Sequence, residues 1–341
     1  MEEKVLYTLQ PGSELYAENE LRRTGLRFTL LPPLEPGVGV VQVADGFEAL
    51  ADAFRKKPPI FIRHICPAEL TAAPDTQSLC RAVRKLAQRM DEELPYSVQL
   101  RLLAGTSATL RRGEVQAAMA DAIAGVAPLD VRSPRQVISC ALTPEVAYLG
   151  LSRVEDNLSA WAGGNCHFRL DTPISRAEGK LLEIFDLFRP TLPKEGRALD
   201  LGAAPGGWTK VLRDKGFAVT AVDPALLDPR VARDPGVTHV RALAQDFFKQ
   251  QPQPFDLLVN DMRMDSRLSI QLTNSCAAWL NPGAYAVVTL KLPHANMQRN
   301  TAMAIRELAR CYHVVAARQL FHNRSEVTLL AKVRREAARK G

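Results

Sequence analysis

Ala198-Leu-Asp-Leu-Gly-Ala-Ala-Pro-Gly-Gly-Trp-Thr-Lys-Val-Leu212 runs from an apolar strand through a glycine turn into a helix. That order decides the fold, because α/β proteins present backbone N–H groups to nucleotide-like ligands at the carboxyl end of a strand. Gly202 allows a turn where a side chain would clash, Pro205 stiffens it, and Gly206 and Gly207 let the helix start close to a ligand. Trp208 either packs the helix start onto the sheet or lines the ligand pocket. The spacing departs from G-x-G-x-x-G: Ala204 takes the second glycine position, and Pro205 and an extra Gly206 precede Gly207. This disfavours a bound pyrophosphate and a nicotinamide-dependent oxidoreductase.

Outward from the turn, residues 171–341 alternate strands with helices, the pattern of a doubly wound parallel sheet. Strand-like runs fall at Arg197–Gly202, Phe217–Asp223, Phe255–Asp261, Ala284–Lys291, Val314–Leu320 and Val327–Val333. Helical patterns lie at Lys180–Phe188, Gly207–Lys215, Leu268–Leu280 and Asn296–Cys311, and Pro282-Gly283 reads as a turn. The N-terminal half has an α+β texture. Residues 1–45 give a strand, a helix near Ser13–Arg23 and a strand pair split at Pro32-Pro33 and Pro36-Gly37. Beyond them, Pro59–Arg63 and Tyr96–Leu103 read as strands, Thr76–Met90 and Gly113–Ala124 as helices, and Gln136–Leu142 with Val146–Leu151 as a hairpin. Gly163 to Pro173 reads as a linker.

The chain has 341 residues, 46% of them hydrophobic, enough for two or three domains. It has no apolar run of the roughly 18 residues needed to cross a bilayer and no signal-peptide pattern at its start, so a cytoplasmic protein without membrane contact is expected. Six scattered cysteines form no C-x-x-C pair, and Cys166-His167 alone offers too few ligands for a metal. Net charge is +7, and it is unevenly placed: about −1 over residues 1–170 and +8 over 171–341. That suits a polyanionic partner. Part of the excess lies in the tail Arg334-Arg-Glu-Ala-Ala-Arg-Lys340, which reads equally well as a solvated end.

Three acids stand at strand ends beyond the glycine turn: Asp223, Asp246 and Asp261. Asp223, 21 positions after Gly202, is placed for a ribose diol, and Asp246 for an adenine amino group; each also suits a helix cap. This layout resembles the class I (Rossmann-like) methyltransferases that use S-adenosylmethionine. Lys180, Asp261, Lys291 in Val288-Thr-Leu-Lys-Leu-Pro293 and Glu326 in Phe321-His-Asn-Arg-Ser-Glu-Val-Thr328 look like the Lys-Asp-Lys-Glu tetrad of the FtsJ-like RNA 2′-O-methyltransferases. The wording over residues 172–333 is similar to the large-subunit ribosomal RNA methyltransferase M group, which methylates a cytidine ribose in 23S RNA. The resemblance implies S-adenosylmethionine as cofactor, held by Ser175, Gly202, Ala204, Pro205, Gly206, Gly207, Trp208, Asp223, Asp246 and Asp261. It implies catalysis by Lys180, Asp261, Lys291 and Glu326.

A ribose hydroxyl is a poor nucleophile at neutral pH, so the reaction needs a positioned base and an aligned methyl donor. Lys291 is the candidate base. Lys180 beside it is expected to depress its pKa by like-charge repulsion and to stabilise the developing oxyanion, while Asp261 and Glu326 orient the lysines. Two departures lie where substrate would pass. Arg263-Met264-Asp265 replaces small residues and a proline, and His294 follows Pro293 in place of further basic residues.

In the N-terminal half, Pro95–Leu103, Gly113–Ala124 and Val131–Leu151 look like a THUMP domain, an RNA-binding module, and Leu6–Glu14 is similar to the ferredoxin-like unit that precedes such domains. The expected division is 1–50, 51–165 and 166–341. Arg55-Lys56-Lys57, Arg111-Arg112 and Arg132…Arg135 are candidate phosphate contacts or ordinary solvated charges. The expected partner is 23S ribosomal RNA or a pre-ribosomal particle, met by a monomer. The alternatives are methylation of another RNA such as tRNA, methylation of a base, and a non-catalytic RNA-binding or ribosome-assembly factor. Base methylation is disfavoured because Asn260-Asp261-Met262-Arg263 lacks the Asn/Asp-Pro-Pro-Tyr/Phe loop; pure binding would not need all four tetrad members.

Overall fold

A computed structural model describes residues 2–107, 110–249, 253–293 and 295–338; His294 and the terminal Arg339-Lys340 lie outside the described residues. The chain forms two compact units, Met1–Asn165 and Cys166–Gly341.

The first unit begins with β1 (Glu3–Thr8), α1 (Glu14–Arg22), β2 (Phe28–Glu35), β3 (Val38–Val43), α2 (Gly46–Lys56) and β4 (His64–Pro67). Their sheet has the order β2-β3-β1-β4, antiparallel throughout. Leu21 of α1 and Phe47, Leu50 and Phe54 of α2 close over Val5, Val41 and Ile65. A boundary at residue 50 would cut α2 and detach β4, so this sheet needs the chain as far as Pro67. Pro59–Arg63 is not a strand. The backbone N–H groups of Ile60, Phe61 and Ile62 donate instead to the buried Glu20 carboxylate at 2.5, 3.1 and 3.0 Å. Pairing is left to the four residues that follow.

A second sheet, ordered β5-β8-β7-β6, comprises β5 (Leu70–Ala72), β6 (Tyr96–Leu102), β7 (Gln136–Leu142) and β8 (Ala147–Arg153). The α3 helix (Thr76–Ala87) and α4 (Arg112–Asp121) bury Leu79, Val83, Leu86, Val115 and Met119 against Tyr96, Leu100, Ile138 and Leu149. Arg55 is ion-paired with Asp52 and Asp156, and Arg111 with Glu114 at 3.7 Å, so two of the three candidate basic clusters are partly neutralised.

In the second unit α5 (Glu178–Phe188) precedes β9 (Gly196–Leu201), α6 (Gly207–Asp214), β10 (Phe217–Val222), α7 (Pro229–Ala232), β11 (Val237–Val240), α8 (Ala244–Phe247) and β12 (Phe255–Asn260). There follow α9 (Ser266–Ser275), β13 (Leu280–Lys291), α10 (Met297–Leu308), β14 (Tyr312–Arg318) and β15 (Glu326–Val333). The sheet order is β11-β10-β9-β12-β13-β15-β14, with β15 antiparallel to both neighbours and the other recorded pairs parallel. Strands covered on both faces read as unbroken apolar runs, as Leu257, Leu258 and Val259, or Ala286, Val287 and Val288, do here. Each such Leu or Val contributes about 1.5–3 kcal/mol through burial.

Two details differ from the sequence expectation. Pro282-Gly283 lies inside β13, where Gly283 takes φ +84° and the pairing with β12 slips in register between Phe255 and Leu257; it is a bulge, which a proline tolerates because no ladder N–H is required there. The edge strand β11, Val-Thr-His-Val, is too short and too half-exposed to carry a periodic signal. Switching between β9 and β12 reverses the direction in which strands are added, and a crevice opens there at the carboxyl ends.

Candidate active site

The crevice is a cleft of about 1230 Å³ lined from the glycine turn, the ends of β10, β12 and β13, the start of α5 and the β14–β15 loop. Gly202, at φ +74°, is required by close approach: a Cβ there would stand 2.5 Å from Met262 Cγ. Likewise a Cβ on Gly207 would stand 2.2 Å from Ser175 Oγ, so Ser175, which also lines the cleft, packs closely against the start of α6. Ala204 and Pro205, joined by a cis peptide bond, line the cleft. Gly206 does not; it faces Val231, and its φ of +111° serves the turn itself.

Asp223 lines the cleft and accepts from Ala204 N at 3.1 Å and Ala225 N at 2.8 Å. A carboxylate has about four lone-pair sites, so two remain for a ligand. Asp246 is a different case. It is turned outward on α8, paired with Lys249 at 2.7 Å, and Leu243, Ala244 and Gln245 form the cleft wall in its place. Trp208 does both things the sequence allowed: its indole donates to Ala177 O at 2.7 Å, its ring joins the core, and its edge reaches the cleft.

At the opposite wall four side chains from four elements meet. Lys291 ends β13 directly across the antiparallel ladder from Glu326, which begins β15. Asp261 follows the last residue of β12, and Lys180 comes from the first turn of α5. Lys180 Nζ lies 3.3 Å from Asp261 and 2.7 Å from Glu326 Oε2; Lys291 Nζ lies 2.8 Å from Glu326 Oε1 and donates to Asp261 Oδ1. The charges alternate round a closed ring, each cation touching both anions. All four side chains are largely shielded from solvent.

This ring overturns the expected direction of the Lys291 shift. Burial alone would pull its pKa down, but Asp261 and Glu326 outweigh burial, and the ammonium is held above the ordinary lysine value. For Glu326, burial would push the carboxyl up, and hydrogen bonds from Lys180 and Lys291 bring it below its ordinary value. Alternation, not like-charge crowding, governs the pair.

Several functional residues escape the sequence reading. Asp200, inside β9, is 1% exposed, accepts from Thr209 Oγ1 at 2.6 Å and is pushed up to about 7 by burial, aided by Asp261 and Asp223. Asn260 accepts from Met262 N at 3.1 Å and donates to Ser269 and Thr273 at 3.2 and 3.3 Å, fixing the exit of β12 that carries Asp261. Glu178 accepts from Ile174 N at 2.5 Å and Ser175 N at 3.0 Å, and Glu183 grips residues 321–322. An acid among apolar neighbours in Leu199-Asp-Leu201 and Leu182-Glu-Ile184 was the available signal.

With this geometry in view, residues 173–315 match the FtsJ-like methyltransferase family. The matched stretch holds the glycine turn, Lys180, Asp261 and Lys291. The chain is 39% identical over 202 residues to the ribosomal RNA large subunit methyltransferase M of Methylococcus capsulatus, a match covering 55% of each. It is 34% identical over 215 residues to the protein of the same name in Cellvibrio japonicus, covering 59% of this chain and 60% of that one. The matched stretch thus spans little more than half the length of these curated relatives. Among solved structures, TrmN from Thermus thermophilus aligns over 97% of this chain and 99% of its own, with 15% identity and a TM-score of 0.39. In the second unit the tetrad closes the cleft opposite the glycine turn, with Glu326 contributed from beyond the matched residues. Among the described residues no group of three His, Cys, Asp or Glu is placed to hold a metal, and no helix is long and apolar enough to cross a membrane.

Proposed function

We propose that this protein transfers a methyl group from S-adenosylmethionine to a ribose 2′-hydroxyl of large-subunit ribosomal RNA, with a cytidine as the target nucleotide. The observation that carries the reading is the closed Lys180–Asp261–Lys291–Glu326 ring facing the glycine turn across one cleft. The names of the relatives support the choice of RNA.

The cleft fits the cofactor. Gly202 and Gly207 admit close backbone approach, Asp223 keeps two acceptor sites, and Ser175, Ala204, Pro205, Trp208 and Asp261 complete the wall, while Gly206 serves the turn from behind. When bound, S-adenosylmethionine supplies an electrophilic methyl group on a sulfonium. The chain's own residues do the rest. Lys291 takes the hydroxyl proton, Lys180 faces the oxygen as charge develops, and Asp261 and Glu326 fix both ammonium groups in place. Because the ring holds Lys291 charged at rest, it must release a proton before it can accept one. Residues 1–165, a ferredoxin-like unit followed by a THUMP-like one, would grip the RNA, with Lys56, Lys57, Arg132 and Arg135 as exposed cations. We assign the protein to the cytoplasm, acting as a monomer.

The test is methyl transfer from labelled S-adenosylmethionine to an unmethylated 23S RNA transcript, followed by digestion to nucleosides. Label in a 2′-O-methylated nucleoside is expected; label in a methylated base would overturn the assignment.

A further inference from the structure

One wall of the cleft carries charged groups that the tetrad does not use. Glu183 on α5 is 2% exposed, and its carboxylate accepts from Phe321 N at 2.8 Å, His322 N at 3.2 Å and His322 Nδ1 at 2.8 Å. A buried acid is thus committed to holding one loop and one imidazole. The ring lies against the backbone of α5, where a Cβ on Gly179 would stand 2.4 Å from its Cδ2, and Phe168 stacks on it at 6.0 Å. With Nδ1 engaged, Nε2 has no partner among the described residues, and His322 lines the cleft.

Two arginines border it. Arg176 stands just before α5 and Arg324 two residues beyond His322; both line the cleft and are exposed. Neither guanidinium has an acidic partner among the described residues, whereas Arg213, Arg230 and Arg310 in the same unit pair with Asp234, Asp228 and Glu307. Two guanidinium groups and one imidazole nitrogen are therefore left open on the wall that carries Lys180 and Glu326. A guanidinium fork matches phosphate oxygens bidentately, and an imidazole nitrogen held beside it adds a single aimed polar contact.

We propose that Arg176, His322 and Arg324 form a phosphodiester-binding subsite that seats a phosphate of the substrate strand next to the ribose being methylated, with Glu183 as the positioning residue that aims His322. The subsite rests on the reading that the substrate is RNA. Arg263 also lines the cleft, from the segment that follows β12, and serves as the comparison. Phosphate contacts of this kind set register without reading sequence.

The test uses the full chain, a 23S RNA transcript and fluorescence anisotropy over a series of KCl concentrations. Each phosphate contact on single-stranded nucleic acid contributes about 0.7 to the slope of log K against log salt. Arg176→Ala and Arg324→Ala are each expected to lower that slope by about 0.7 and the double variant by about twice as much. His322→Gln and Glu183→Gln should both raise KM for RNA more than they lower kcat, since aiming the ring serves binding. Calorimetric binding of S-adenosylhomocysteine shows that each variant is folded. A wild-type slope in the double variant overturns the subsite, as does an equal fall in slope produced by Arg263→Ala alone while the double variant is unaffected. A wild-type protein that neither binds nor methylates the transcript overturns the reading beneath it instead.

Discussion

Replacing Glu326 by Gln should move the pH dependence of methyl transfer toward neutrality. The carboxylate sits 2.8 Å from Lys291 Nζ and 2.7 Å from Lys180 Nζ, and it is one of two anions that hold Lys291 charged. At 2.8 Å the attraction between unit charges is about 6 kcal/mol at an effective dielectric of 20 and about 1.5 kcal/mol at that of water. The two side chains retain 23% and 18% exposure, so solvent screening favours the lower half of that range. Losing that attraction should lower the Lys291 pKa, because one of the two anions that favour its charged form is gone. Gln keeps the length and an acceptor oxygen, so the change is chiefly one of charge. The assay is single-turnover methyl transfer at saturating RNA and cofactor from pH 6 to 10. In the wild type log k should climb with pH across this window, because the base is charged at rest and its raised pKa lies above it. In the variant the climb should level off earlier, whatever the absolute rate. Profiles that coincide, or a variant whose climb moves to higher pH, would refute the idea that the ring sets the proton affinity of Lys291.

Other outcomes follow from the same geometry. Lys291→Ala should lower kcat by about 10² to 10⁴, the usual worth of a positioned base, while calorimetry finds S-adenosylhomocysteine binding within about twofold of wild type; full activity would remove Lys291 from that role. The Asp200 carboxyl, raised from 3.8 to about 7, binds its proton more tightly in the folded chain, so its contribution to stability declines as pH rises from about 4 to 7. Asp200→Asn should therefore be more stable than wild type at pH 8, by at most about 4 kcal/mol, and lose that advantage at pH 4; urea midpoints showing the same pH dependence in both would refute this. Residues 166–341 alone should keep cofactor affinity and bind 23S RNA more weakly; unchanged RNA affinity would take the gripping role from residues 1–165.

The parallel sheet was legible because its inner strands are covered on both faces and so read as apolar runs, and because Gly202 to Gly207 allow only a tight turn into a helix. Lys291 and Glu326 could be paired from motif wording, but not the alternation of the ring, which depends on Lys180 arriving from a helix more than 80 residues before Asp261. Hence the proton affinity of Lys291 was expected on the wrong side of normal. Asp246 misled because a strand-end acid looks the same whether it faces a ligand or, as here, Lys249. Pro59–Arg63 misled because nothing local reveals that Glu20 would claim the donors of Ile60, Phe61 and Ile62.

The alternating ring has one more consequence. Two ammonium groups and two carboxylates in mutual contact sum to no net charge, so the ring's field decays within a few ångströms. A cationic methyl donor on one side and a polyanionic strand on the other can both approach without either being repelled by the catalytic floor. Attraction over longer distances must then come from charges outside the ring.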